Sequence, residues 1–217
     1  MTLAEENYLK TIFHLERKLK SEVSTNALAE RMQTRASSVT DMMQKLAEKK
    51  MLVYKKYKGV QLTEKGKKAA AYVVRKHRLW EVFLVDKLEF HWDEVHDIAE
   101  QMEHINSVEL IKRLDAFLGH PDFDPHGDPI PDKDGNIKKA EKRLLSELIK
   151  NQIGICVGVK ESSPEYLQYL DKKKISIGTK INVLGKEFFD GSMMIQVGRD
   201  QFFVSKQIAE NLYVQTN

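Results

Sequence analysis

Six residues in the middle of the chain carry side chains that bind metals: His77, Glu81, His96, Glu100, Glu103 and His104. His77 and Glu81 are four apart, so a helix there presents both on one face. On a following helix, His96, Glu100, Glu103 and His104 stand at offsets 0, 4, 7 and 8, again on one face. Two such helices packed antiparallel would bring three imidazoles and three carboxylates together. A donor set without sulfur suits a divalent first-row cation of intermediate hardness, manganese or iron(II), although zinc also accepts it. Taken singly, each residue reads as solvated or hydrogen-bonded. As a set they do not, because carboxylates on adjacent faces repel one another unless water or a bound cation separates them.

The elements that must position these residues follow from the apolar pattern. Thr2 to Leu19 places Leu3, Tyr8, Ile12, Phe13 and Leu15 near one helical face. Ser24 or Thr25 caps a second helix, running to about Met32, with Ala27, Leu28 and Met32 as its stripe. After the polar joint Gln33-Thr34-Arg35, a third helix from Ala36 to Lys49 turns Val39, Met42, Met43 and Leu46 inward and Ser37, Ser38, Thr40, Asp41, Gln44 and Lys45 outward. Leu52 to Leu62 reads as two short strands around a basic turn at Lys58-Gly59. Thr63 caps a long helix to about Phe90, and helices follow at Asp93 to Ile105 and, capped by Ser107, at Val108 to Leu118. Gly119 to Asn136 holds four of the five prolines and is a loop. Beyond Leu144 the period changes to two, giving five short strands and one helix after Ser163-Pro164, the pattern of a small closed β-barrel.

Length and charge agree with several small modules. At 217 residues the chain is long for one domain. The net charge of +3 is unevenly spread: residues 1–75 carry 16 Lys+Arg against 8 Asp+Glu, and the remainder is net acidic. One end is therefore expected to meet a polyanion. The single cysteine, Cys156, excludes an internal disulfide and a thiolate cluster, fits a reducing compartment, and sits in an alternating strand as a buried small hydrophobe. No stretch approaches the ~20 apolar residues of a membrane span, and the acidic, amphipathic start is unlike a signal peptide, so a cytoplasmic location is expected.

Three helices followed by a basic hairpin is the winged helix-turn-helix plan. Small hydroxyl and amide side chains on the third helix (Ser37, Ser38, Thr40 and Gln44, with Arg35 at its start) suit contact with double-stranded DNA in a major groove. Lys55, Lys56 and Lys58 on the wing suit phosphates. Two rival functions fit parts of the pattern. A metallohydrolase leaves the basic winged helix unexplained and lacks a helical His-Glu-x-x-His motif, so no enzyme or small-molecule substrate is expected. A winged-helix sensor of a non-metal ligand would make the acidic cluster incidental surface.

The sequence resembles the DtxR/MntR family of iron- and manganese-dependent repressors over nearly its whole length. The carriers are Glu6-Asn-Tyr-Leu-Lys-Thr-Ile-Phe13, Ser37-Ser-Val-Thr-Asp-Met-Met-Gln-Lys-Leu46, Leu62-Thr-Glu-Lys-Gly66, Arg75-Lys-His-Arg-Leu-Trp-Glu81, Val95-His-Asp-Ile-Ala-Glu-Gln-Met-Glu-His104 and Gly127-Asp-Pro-Ile-Pro131. The resemblance implies a mainly α chain with a C-terminal all-β module: a winged helix at 1–73, a helical dimerisation and metal-binding domain at 74–143 and an SH3-like barrel at 144–217. It implies a homodimeric repressor of metal-homeostasis genes on palindromic operators. It implies one metal site at His77, Glu81 and His96, to which Glu161 or Glu165 could reach, and a second at Glu100, Glu103 and His104 completed by the first helix. The family's first-helix ligand is Met or Asp, and Asn7 stands there; its amide could bind directly, through water, or leave the position to solvent. Lys10 replaces a Glu of manganese-type members, against a coupled binuclear centre, and Glu100 replaces a Cys of iron-type ones, which favours manganese over iron.

Overall fold

The structure is a computed structural model and describes residues 1–55, 58–139 and 141–216. Helices and strands follow in the order α1 (Leu3–Leu19), α2 (Thr25–Arg31), α3 (Ala36–Glu48), β1 (Leu52–Lys55), β2 (Gly59–Leu62), α4 (Glu64–Leu88), α5 (Val95–Met102) and α6 (Val108–Phe117). The C-terminal part holds β3 (Arg143–Leu144), β4 (Ile153–Val159), α7 (Pro164–Lys172), β5 (Lys180–Lys186), β6 (Met193–Val197), β7 (Asp200–Val204), α8 (Lys206–Ala209) and β8 (Leu212–Gln215). The chain divides into two compact units. One comprises Met1–Arg78, Glu100–Ile111 and Pro131–Ile137; the other comprises Leu79–Ala99, Lys112–Ile130 and Lys138–Asn217.

In the first unit, α1 begins at a reciprocal cap: Thr2 Oγ1 accepts from the Glu5 backbone N–H, and the Glu5 carboxylate accepts from that of Thr2. Its buried stripe is Tyr8, Leu9, Ile12 and Phe13. Leu3, expected on that face, is exposed, and Leu9 takes the central place, because the stripe begins a full turn after the cap. Ser24 caps α2 through the Ala27 N–H. In α3, Val39, Met43 and Leu46 fall at intervals of four and three and are fully buried, joining Leu9, Ile12, Val23 and Leu28 in one core. Burying one such Leu in place of Ala is worth about 2–5 kcal/mol.

The hairpin β1–β2 is antiparallel, with Leu52 opposite Leu62 and Lys55 opposite Gly59. Gly59 has φ +123°, and a Cβ there would come within 2.5 Å of the Val23 carbonyl oxygen. Only glycine lets the wing close against the Val23–Val60 bridge. Thr63 Oγ1 then accepts the Gly66 N–H to start α4, whose 25 residues run about 37 Å.

In the second unit, six antiparallel strands are ordered β3-β8-β4-β5-β6-β7. Alternate residues of the strands, among them Cys156, Ile181, Val183, Met193, Ile195 and Val214, enclose one core with Leu167 and Leu170 of α7. Five strands were expected; the sixth, β3, is two residues long, too short to alternate. The proline-rich loop is organised by Asp124, whose carboxylate accepts from the N–H groups of His126 and Asp128. No described helix is long and apolar enough to cross a membrane.

Candidate metal sites and nucleic-acid face

In the first unit, Glu6 and Lys10 of α1 and His77 of α4 reach the segment that follows α5. Glu103 and His104, expected on the helix, lie just past its end at Met102, and there the backbone turn aims both side chains inward. Glu103 is fully buried. Its Oε2 accepts from Lys10 Nζ at 2.6 Å and from His77 Nδ1 at 2.7 Å. Burial alone would raise this carboxyl, but the His77 hydrogen bond and the Lys10 charge hold it below the usual range. Lys10 Nζ also lies 4.0 Å from Glu100 Oε1, a half-exposed group.

Two acceptors in this unit lack a donor among the described residues: Asn7 Oδ1 and Glu103 Oε1. A buried oxygen without a partner costs roughly 1–3 kcal/mol. Glu103 Oε1 is 3.7 Å from His104 Nε2, while His104 Nδ1 is bonded to Glu6 Oε2 at 2.8 Å. An amide oxygen and a carboxylate oxygen left without donors, with the His104 imidazole beside the carboxylate, fit a divalent cation, so Asn7, Glu103 and His104 could hold one. Glu6 and its second partner Lys76, 3.5 Å away, were not anticipated from the sequence; both are buried.

In the second unit, Glu81 is buried and its Oε1 lies 3.5 Å from His96 Nδ1. His77 is one turn earlier on α4. Asp124 and His126, also missed in the sequence, bring their donor atoms within 4.8 Å of that of Glu81, and all three residues are buried. His126 Nε2 donates to the Trp92 carbonyl at 2.7 Å and the two rings stack. Burial would lower this imidazole, but Glu81, Asp124 and the Trp92 carbonyl push it up to about 9. The available signal was Asp124-Pro125-His126, two donors flanking a proline in a loop whose shape Gly127 (φ +82°) fixes against the Val157 carbonyl. Glu161 lines a cavity of about 340 Å³ with His96, Asp93 and Asp97, whereas Glu165 stands exposed on the first turn of α7.

On the reading face, Arg35, Ser37, Ser38 and Gln44 are exposed along α3. Thr40 is half-buried and its hydroxyl donates to the Ala36 carbonyl at 2.9 Å. On the wing, Lys58 is exposed and Lys55 pairs with Glu22 at 3.0 Å; Lys56 lies outside the described residues.

Family comparisons cover almost all of the chain. Residues 1–60 match the iron dependent repressor N-terminal DNA binding domain, residues 63–132 its metal binding and dimerisation domain, and residues 143–216 the FeoA domain. A solved manganese-dependent transcriptional repressor in complex with manganese is 35% identical, with a TM-score of 0.86 over 98% of this chain and 100% of that one. The iron-dependent repressor IdeR of Mycobacterium tuberculosis is 36% identical over 126 residues, 58% of this chain and 54% of IdeR. A probable metal transport system membrane protein of Chlamydia trachomatis is 51% identical over 70 residues, 32% of this chain and 16% of that protein. The matched stretch thus spans about half of IdeR and a small part of the chlamydial protein. Both N-terminal domains, the C-terminal domain and the full-length likeness agree: the chain belongs to the DtxR family of iron- and manganese-dependent transcriptional repressors.

Proposed function

We propose that the chain is a cytoplasmic, metal-activated repressor that binds palindromic operators of metal-homeostasis genes as a homodimer. The reading is carried by one observation: Asn7 Oδ1 on α1 and Glu103 Oε1 after α5 are buried acceptors with no donor among the described residues. A divalent cation bound there would supply the partner both oxygens lack. Asn7 then ligates from the helix that packs under the reading head, and Glu103 and His104 from the sensing segment, with Glu100 at the half-exposed rim. Occupancy fixes α1 against that segment and so sets the presentation of α3, and affinity for metal and for DNA rise together. A second site is proposed in the second unit at Glu81 and His96. The buried Asp124 and His126 support adding them to Glu81.

Manganese is the proposed effector, iron(II) the next. The donors are carboxylate, amide and imidazole, and the one thiol, Cys156, is buried in the C-terminal core. The solved relative named as manganese-dependent supports the same order. The three matches support three modules in that order, and the division at 1–73, 74–143 and 144–217 is proposed on that basis. The test is to titrate operator-type DNA with the purified chain against manganese, iron(II) and zinc in turn. The proposal expects binding that a chelator reverses. Binding that ignores metal contradicts it and favours a sensor of another ligand.

A further inference from the structure

Glu6 is an acidic side chain on α1 with only 4% of its surface exposed. A buried carboxylate is costly unless it is paired and hydrogen-bonded. Two partners do this: His104 Nδ1 at 2.8 Å and Lys76 Nζ at 3.5 Å. Lys76 is itself 1% exposed, and its ammonium lies over the Tyr72 ring, 5.5 Å from the centroid. A buried lysine in that position offers Glu6 a fixed countercharge.

An ionised carboxylate can only accept hydrogen bonds, so the atom of His104 facing Glu6 must carry the hydrogen. In the neutral ring the lone pair is then confined to Nε2. That is the nitrogen 3.7 Å from Glu103 Oε1, the oxygen that has no donor among the described residues. We infer that Glu6 is a positioning residue: it holds His104 as the Nδ1–H tautomer and aims the Nε2 lone pair at the cation site, with Lys76 as the second partner of the Glu6 carboxylate. This rests on the metal site proposed above. It assigns α1 a role in that site that does not pass through Asn7. A hydrogen bond from a ligating imidazole to a carboxylate fixes ring orientation and raises ligand basicity, and its loss ordinarily costs 10–100-fold in metal affinity.

The test uses the full chain and two readouts. Nitrogen-15 NMR of the histidine rings in the metal-free protein, at mildly alkaline pH where a free imidazole is neutral, should find His104 as Nδ1–H. Calorimetry measures manganese affinity. Glu6→Leu leaves a buried ammonium and could fail to fold, so it is made together with Lys76→Met. The paired variant should lose the single tautomer and bind manganese about 10–100-fold more weakly. Glu6→Gln, whose amide oxygen can still accept, should keep the tautomer and bind more tightly than the paired variant. A wild-type His104 carrying its hydrogen on Nε2, or a paired variant with unchanged tautomer and affinity, overturns the inference. A wild-type chain with the Nδ1–H ring that takes up no divalent cation instead sinks the metal reading, leaving Glu6's hold on the ring intact.

Discussion

Lys10 Nζ lies 2.6 Å from Glu103 Oε2, so an ammonium on α1 already reaches the carboxylate that a metal would share. This ion pair offsets a fully buried charge, with His77 as the other donor. Lys10→Met should destabilise the metal-free protein by roughly 1–3 kcal/mol, lowering its thermal midpoint by about 2–4 °C for each of these. Manganese should raise the midpoint of the variant more than that of the wild type. Equal midpoints for the two metal-free proteins would show that Lys10 carries no such burden.

Asn7 Oδ1 is buried and unpaired, whether or not it ligates. Asn7→Asp adds an anionic oxygen at unchanged length, and should tighten manganese binding and lower the metal concentration that half-activates DNA binding. Asn7→Leu should do the reverse. Activation curves unchanged in both variants, measured by fluorescence anisotropy, would remove Asn7 from the ligand set.

Acid stability depends on Glu5. The Lys49 hydrogen bond, with Lys45 and the Thr2 N–H, holds its carboxyl at about 2 against the cost of burial. A depressed carboxylate contributes stability that is present above its ordinary value of 4.5 and is lost as pH falls towards 2. Glu5→Gln, which keeps the cap at Thr2, should therefore be less stable than the wild type at neutral pH. The gap should be about 1–2 kcal/mol, since both lysines are half-exposed. Urea unfolding at several pH values should show it closing below 4.5; a gap that stays constant to pH 2 contradicts the ion-pair origin.

What could be read from the sequence was what is locally periodic. Val39, Met43 and Leu46 repeat with the helix, and Gly59 with its flanking lysines marks the hairpin, so the elements of the reading head were legible, while Leu3, expected inward, is exposed and Thr40, expected outward, is half-buried. The family motifs carried Glu103 and His104, though the expected helix runs three residues past its observed end at Met102. Glu6, Lys76, Asp124 and His126 were not legible. Each becomes significant through a partner distant in the chain, as with His104 for Glu6, and short-range spacing carries no trace of such a pairing. Strand β3 was missed for a related reason: Arg143 and Leu144 are strand only because they pair with Val214 and Tyr213.

Separate duties are expected on the reading head. Lys58→Ala should weaken binding to all DNA sequences and reduce the salt slope by about 1. Ser37→Ala and Gln44→Ala, both exposed on α3, should change base preference by about 1–3 kcal/mol at individual positions. Thr40→Ala should do the same to a smaller degree, its hydroxyl being engaged with the Ala36 carbonyl. Competition binding over an operator library distinguishes the classes. Uniform losses with an unchanged ranking of sequences would mean that α3 is not the recognition helix.

The central claim is that a cation at Asn7, Glu103 and His104 switches DNA binding, and the most direct measurement is operator affinity with manganese and with chelator, for the wild type and for Glu103→Gln. The wild type should bind at least tenfold more tightly with manganese, the coupling of about 1.4 kcal/mol or more expected of an allosteric effector. Glu103→Gln should fold normally and bind with the weak, chelator-like affinity in both conditions. A Glu103→Gln protein that keeps the full manganese response would contradict the account.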